Sequence, residues 1–274
     1  DVAPSRGLGD VYKRQSLPSS FGAELPLENL NSIDTRGWEL NLGTSGNFGN
    51  FMYDISGNLS WARSKWRKYD EPIYSDPDQE RIYKREGRWT DVRYGYISDG
   101  LFTSQAEIEA LDFTYKDLNG NSSLRPGDIK YVDLNGDKVL DWKDQKEIGK
   151  GTLPTWTYGF NMNFKYHGFD LSALFQGAFG YTTYIDLTKA ASTLKYDNRW
   201  TEKENNPNSL VARPGGASTN KYYSDFNNHN TAYLRLKNLS IGYELPKGLV
   251  SKAGIQQLRI YIAGTNLFTL CLLY

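Results

Sequence analysis

The stretch WTYGFNMNFKYHGFDLSALFQGAF, Trp156 to Phe179, alternates with period two on both sides of a two-residue break. Trp156, Tyr158, Phe160, Met162, Phe164 and Tyr166 fall on one face, against Thr157, Gly159, Asn161, Asn163 and Lys165. After His167-Gly168 the pattern resumes, with Phe169, Leu171, Ala173, Phe175 and Phe179 opposing Asp170, Ser172 and Gln176. Successive side chains of a strand point to opposite faces, so two such runs with a two-residue link predict a β-hairpin.

Outward from this hairpin the same alternation recurs. Phe51, Tyr53, Ile55, Gly57, Leu59 and Trp61 oppose Met52, Asp54, Ser56, Asn58 and Ser60. Weaker versions at Gly37–Gly43, Tyr233–Glu244 and Gln257–Phe268 bring the count to six strands. The composition agrees: 20 Tyr, 12 Phe, 7 Trp and 26 Gly suit strands and turns, and no apolar run approaches a membrane-spanning helix.

Short and long connections alternate. Residues 44–50, 167–168 and 245–256 are short links, whereas 64–153 and 181–231 are long excursions. Outer-membrane barrels have short turns at one end and long loops at the other, a rhythm a soluble sandwich does not need. The polar faces are mostly Asn, Ser, Thr, Gly and Gln, which suits a wet lumen better than the charge-rich outer face of a sandwich. Trp38, Trp61, Trp156, Tyr166, Phe179 and Tyr243 cap the apolar faces, as aromatic girdles do. The expected fold is all-β, a partial antiparallel transmembrane β-barrel of about six strands with long extracellular loops. Its competitor is a secreted, calcium-stapled β-sandwich that binds carbohydrate.

Both ends of the chain read differently. Asp10-Val11-Tyr12-Lys13-Arg14-Gln15 back-translates to GAT GTG TAT AAG AGA CAG, whose reverse complement, read one base in, encodes Cys271 to Tyr274. That relation resembles the inverted transposase adapter of a shotgun library. Residues 1–15 and 271–274 are therefore expected to be adapter-derived, with 16–270 the genuine stretch. Setting them aside removes Arg6, Lys13 and Arg14 from 32 basic residues and Asp1 and Asp10 from 32 acidic ones, leaving 29 against 30. This balance gives no electrostatic reason to expect nucleic acid. The single cysteine, Cys271, goes with the adapter, which argues against disulfides, thiol catalysis and cysteine-bound metal.

Beyond these patterns, the order of short motifs resembles the SusC/RagA-type TonB-dependent outer-membrane transporters. It is carried by Arg125-Pro126-Gly127-Asp128-Ile129-Lys130-Tyr131, Asp133-Leu134-Asn135-Gly136-Asp137, Tyr158-Gly159-Phe160 and Gly168-Phe169-Asp170-Leu171-Ser172. Further matches are Tyr94-Gly95-Tyr96, Arg199-Trp200-Thr201, Tyr233-Leu234-Arg235-Leu236-Lys237-Asn238 and Leu258-Arg259-Ile260-Tyr261. The resemblance implies a plugged barrel of about 22 strands in the cell outer membrane. It also implies a SusD-like surface lipoprotein as partner, energy through the TonB complex, and a glycan or peptide cargo. On this reading the chain is a C-terminal barrel fragment lacking the plug and most strands.

Two candidate sites lie in the long loops. Asp133, Asn135, Asp137, the Val139 carbonyl, Asp141 and Asp144 occupy places 1, 3, 5, 7, 9 and 12 of a calcium-type loop. Lys138 stands where glycine normally makes the sharp turn, and Asp144 is shorter than the usual glutamate. Asp117, Asn119 and Asn121 repeat the opening more weakly. Calcium would order the loop, and the competing role is a set of Asx turns satisfied by their own backbone. Trp200, Tyr222, Tyr223 and Phe226 can stack on sugar rings or pack the two loops together. Ser104 to Glu107 matches a capping box opening a short helix, and Arg235 and Lys237 interrupt an apolar face where they can snorkel toward headgroups or mark the start of the strand. No catalytic constellation stands out: His167 falls in a turn and His229 in an Asn-rich loop, so no enzyme is expected.

Overall fold

The computed structural model describes residues 7–13, 28–118, 120–185 and 193–271. Seven strands form one antiparallel sheet: β1 (Gly7–Lys13), β2 (Glu28–Phe48), β3 (Phe51–Lys68), β4 (Trp156–Tyr166), β5 (Phe169–Phe179), β6 (Tyr233–Glu244) and β7 (Arg259–Cys271). They neighbour one another in chain order. The six predicted strands are all present. β1 lies inside the adapter-like end and pairs with the first half of β2, whose unpaired edge offers a row of N–H and C=O groups. Residues 1–6, 14–15 and 272–274 of the adapter-like ends lie outside the described residues.

The strands run longer than alternation alone indicates. β2 and β3 continue to Phe48 and from Phe51, so the 44–50 link shrinks to Gly49-Asn50, with Gly49 at φ 59°. The β4–β5 turn is the predicted His167-Gly168, with φ of 45° and 86°. Positive φ at both central residues matches the right-handed twist of the flanking strands, and Gly168 adopts it without a Cβ penalty.

Register aligns the apolar residues into rows that cross the sheet. Trp38, Trp61, Trp156 and Phe179 form one end row, and Phe48, Phe51, Tyr166, Phe169, Tyr243 and Ile260 the other. Ring contacts knit both rows, Trp38 on Trp156 at 5.4 Å and Phe169 on Tyr243 at 4.5 Å between centroids. Between them lie aliphatic and aromatic rows such as Leu42, Gly57, Phe160, Phe175, Leu236 and Phe268.

The core sits elsewhere. Phe102, Tyr115, Leu124, Ile129, Tyr131 and Leu140 are fully buried, and all belong to the 64–153 excursion. On the sheet, Leu42 is 66% exposed, Phe169 58%, Ile262 81% and Leu270 62%. Among the described residues no second sheet covers this apolar face. The sandwich expectation therefore fails, because a sandwich exists by burying the inner faces of two sheets against each other.

Candidate functional site

Two surfaces of the chain bear on function: the two-sided sheet, and a compact module built by the long loops. On the sheet, eleven residues of β4 separate the aromatic end rows. At about 3.3 Å per residue and a tilt of roughly 40°, this gives an apolar band about 25 Å tall, the height of a bilayer-facing band. The opposite face is polar and cross-linked. Ser60 and Thr157 hydroxyls lie 2.6 Å apart, and Arg259 Nε donates to Asp170 Oδ1 at 2.8 Å. Lys237 Nζ donates to Gln176 Oε1 at 3.0 Å, and Arg235 Nε to Thr269 Oγ1 at 3.1 Å. Snorkelling of Arg235 and Lys237 is thereby corrected: both serve the polar face, because a bulge around Lys237 shifts the register of β6.

The loop module joins 64–153 to 181–231 around Asp128, which has no exposed surface. Asp128 Oδ1 accepts from Arg213 Nε at 2.9 Å, Asn220 Nδ2 at 2.9 Å and Ala217 N at 3.1 Å. Its Oδ2 accepts from Arg125 N at 2.9 Å. A buried carboxylate needs this many donors, and here they come from both loops. The preceding Gly127 has φ 86°, and a Cβ there would lie 2.4 Å from Trp200 Cε3. Asp128 was legible only as part of a motif. Its role depends on partners more than 80 residues away, which no local pattern announces.

Trp200 is buried against Gly127 and donates from Nε1 to Asn205 Oδ1 at 3.2 Å. Tyr222 stacks on Tyr96 at 4.6 Å, and its hydroxyl donates to Asp117 Oδ2 at 2.5 Å. Tyr223 stacks on Tyr184 at 5.1 Å, and Phe226 packs against the buried cluster. Trp200, Tyr222, Tyr223 and Phe226 thus all take part in the packing of the loop module, Trp200 buried and the other three half-buried. Burial pushes the Tyr96 phenol up to about 12, and raises Tyr115, Tyr131 and Tyr222 as well.

The calcium-type loop is well formed and turned inward on itself. Asp133 accepts from Gly136 N at 2.8 Å and Lys138 N at 2.9 Å, Asn135 from Asp137 N at 2.8 Å, and Asp137 from Val139 N at 2.9 Å. Lys138 itself makes the left-handed turn, with φ 66°. Asp141 caps the short turn Trp142–Asp144, and Asp144 returns a bond to Asp141 N at 2.8 Å. Asp144 Oδ1 also accepts from Leu134 N at 3.0 Å, so this fully buried carboxylate ties both ends of the loop. Burial raises its pKa, opposed by these backbone donors. In the upstream repeat, the described residues are engaged elsewhere. Asp117 is engaged by Tyr222, Asn121 Oδ1 accepts from Tyr115 N at 3.0 Å, and Asn119 lies outside the described residues.

The helix expected at Ser104 is present as Gln105–Glu109, with Ser104 Oγ accepting from Glu107 N at 3.2 Å. Glu107 reaches back to Thr103 N at 2.9 Å rather than to Ser104.

This architecture has known counterparts. TonB-dependent receptor P3 of Formosa agariphila is 30% identical over 95% of the chain, and receptor P26 of the same organism 26% over 94%. TonB-dependent receptor SusC of Bacteroides thetaiotaomicron is 23% identical over 87%. The chain is a relative of the TonB-dependent receptors. It spans about a quarter of their length, 26% of P3 and 23% of SusC. No family model matches it. In fold, this receptor-like chain is similar to the RagAB peptide importer in its open-open state, with TM-score 0.62, 21% identity, and coverage of 95% of this chain and 28% of that one. A second structure of the RagAB transporter gives TM-score 0.61 at 19% identity. The large sheet accordingly has the fold of part of a barrel wall, as in that transporter.

Proposed function

We propose that the chain contributes a wall segment and an extracellular loop module to an outer-membrane importer, its apolar face in lipid and its polar face on the lumen. The observation that carries this reading is the uncovered apolar band, about 25 Å tall and bounded by aromatic rows at both ends. The whole transporter would act with a SusD-like surface lipoprotein over the loop module, draw energy through TonB, and import an oligosaccharide; peptide is the cargo named for the RagAB structures. No step of covalent chemistry belongs to this reading. Calcium at Asp133–Asp144 enters it only as an ordering ion, checked by calorimetric titration of the intact chain: absence of calcium uptake would remove it.

The membrane placement is tested by transferring the chain from detergent into vesicles carrying brominated acyl chains. Quenching of tryptophan fluorescence is expected, strongest with bromine near the headgroups, where Trp38, Trp61 and Trp156 lie. A detergent-free, compact and unquenched particle would overturn the assignment.

A further inference from the structure

Above the Trp61 row, β3 continues beyond its partner β4, and residues 87–90 take β4's place. Trp66 N donates to Arg88 O at 2.9 Å, Gly87 N to Trp66 O at 2.9 Å, and Thr90 N to Ser64 O at 2.9 Å. Strand alternation then places Trp66 on the same face as Ser60, Ala62 and Ser64, the polar face. Arg63, on the opposite face, grips Asp91 with Nε at 2.9 Å and Nη2 at 2.9 Å and lies 4.5 Å over the Trp89 ring, which fastens the segment.

A cavity of ≈ 800 Å³ opens at this junction, beside the helix Pro77–Tyr83, with Trp66 of the polar face in its wall. Its walls include Trp66, Tyr69, Tyr74, Arg85, Arg88 and Arg93. Of the charged residues lining it, four are cationic and one, Asp70, is acidic. Lys84 is paired with Glu80 at 2.6 Å, but among the described residues none of the three guanidiniums has a carboxylate within ion-pair distance. Arg88 is committed to structure, donating to the carbonyls of Arg81 at 2.5 Å and Glu80 at 3.1 Å. Arg85 donates to the Tyr69 hydroxyl at 2.9 Å, and Arg93 only to the Thr90 and Val92 carbonyls. Both are exposed and keep further N–H donors for an anion.

Resting on the reading that the polar face meets a water-filled lumen, we propose that this cavity binds an anionic oligosaccharide. Carboxylate or sulfate groups meet Arg85 and Arg93, and sugar ring faces lie on Trp66 and Tyr74. The Glu71 carboxylate lies beside Arg85 but is taken up by the backbone N–H groups of Arg85 and Glu86, and guanidiniums without an ion-pair partner in a concave site favour anions and hold them through forked bonds. Flat aromatic walls with hydroxyl rims suit a ring with one apolar face and a polar edge. A peptide is usually held through strand-edge backbone groups, and those of 64–66 and 87–90 are already joined to each other.

The test is calorimetric titration of the full chain in detergent with trigalacturonate, neutral maltotriose and charge-matched triglutamate. Trigalacturonate is expected to bind about tenfold or more tightly than either of the others. Arg85→Gln with Arg93→Gln should weaken it at least tenfold, and Arg85→Lys with Arg93→Lys should restore part of the loss. Tyr74→Leu should weaken trigalacturonate and leave triglutamate unchanged. Equal binding of maltotriose, equal binding of triglutamate, or no binding by a chain with native near-ultraviolet circular dichroism would each overturn the proposal. Lipid quenching, measured on the same preparation, reports separately whether the membrane reading stands.

Discussion

At the scale of single residues, the loop module depends on two neighbours, Gly127 and Asp128. Alanine at 127 must hold φ 86° with its Cβ 2.4 Å from the Trp200 ring, combining a strained backbone with overpacking. Gly127→Ala should destabilise the module by about 3 kcal/mol, read as earlier thermal loss of the near-ultraviolet circular dichroism from its buried rings. Asp128→Asn keeps the shape but removes the charge opposite Arg213, whose side chain is only 25% exposed. Breaking a largely buried pair on one side costs about 3 kcal/mol, so rapid proteolysis within 181–231 is expected while the sheet stays protected. Arg213→Met with Asp128→Leu should not recover that loss, because Asn220 Nδ2, Ala217 N and Arg125 N would also lose their acceptor. The calcium-type loop shows how far residue spacing alone reaches. The spacing of Asp133 to Asp144 marks an oxygen-rich loop, and its left-handed residues are Gly136 and Lys138, the latter standing where the motif places glycine. It left open whether those oxygens face an ion or the chain's own N–H groups, since both use the same side chains at the same intervals.

At the scale of elements, strands and loops differ in how much of them can be read in advance. The six strands follow from a local rule, alternation every second residue, which the sheet then enforces through register; their lengths, the bulge at Lys237 and the irregularity opposite Ser32 and Ile33 escaped it. The loop module follows no periodic rule. Its strands are two to four residues long, and its core joins Tyr96 and Tyr131 to Tyr222 across about 90 or more residues of chain, so no local pattern separates an aromatic that packs loop on loop from one that meets a ligand. A core so rich in phenols has a consequence for pH. A phenol whose folded pKa stands above its unfolded 10.0 holds its proton more tightly in the native chain, so its contribution is intact below pH 10 and lost as pH climbs. Burial places Tyr96 at about 12 and raises Tyr115, Tyr131 and Tyr222 in the same direction. The module should therefore lose its near-ultraviolet signal cooperatively between about pH 10 and 12, together with a late rise in phenolate absorbance. Phenols that titrate near 10 without structural change would show that this cluster is open to water.

At the scale of the whole molecule, the governing question is which solvent meets each side of the sheet. Water on both sides would leave Leu42, Ile262 and Leu270 exposed with nothing gained, and water on neither would strand the polar face. Lipid on one side and a wet lumen on the other, as proposed, satisfies both. Single substitutions on adjacent residues can separate the two faces. Met162 lies midway along β4 on the apolar face, in the row of Ile55 and Ala173, whereas Asn161 beside it faces the polar side between Ser56 and Leu174. An arginine at the middle of the lipid-facing band costs about 2–4 kcal/mol, and one on the lumen face costs little. Met162→Arg should therefore reduce insertion into vesicles severely and lower the denaturant midpoint of the inserted chain, while Asn161→Arg inserts as the unchanged chain does. Moving the arginine to the band's edge, as Tyr166→Arg, should recover most of the loss, because a charge near the headgroups reaches water. Equal tolerance at 161 and 162 would mean that the two faces of β4 meet the same medium, and the barrel-wall assignment would fail with it.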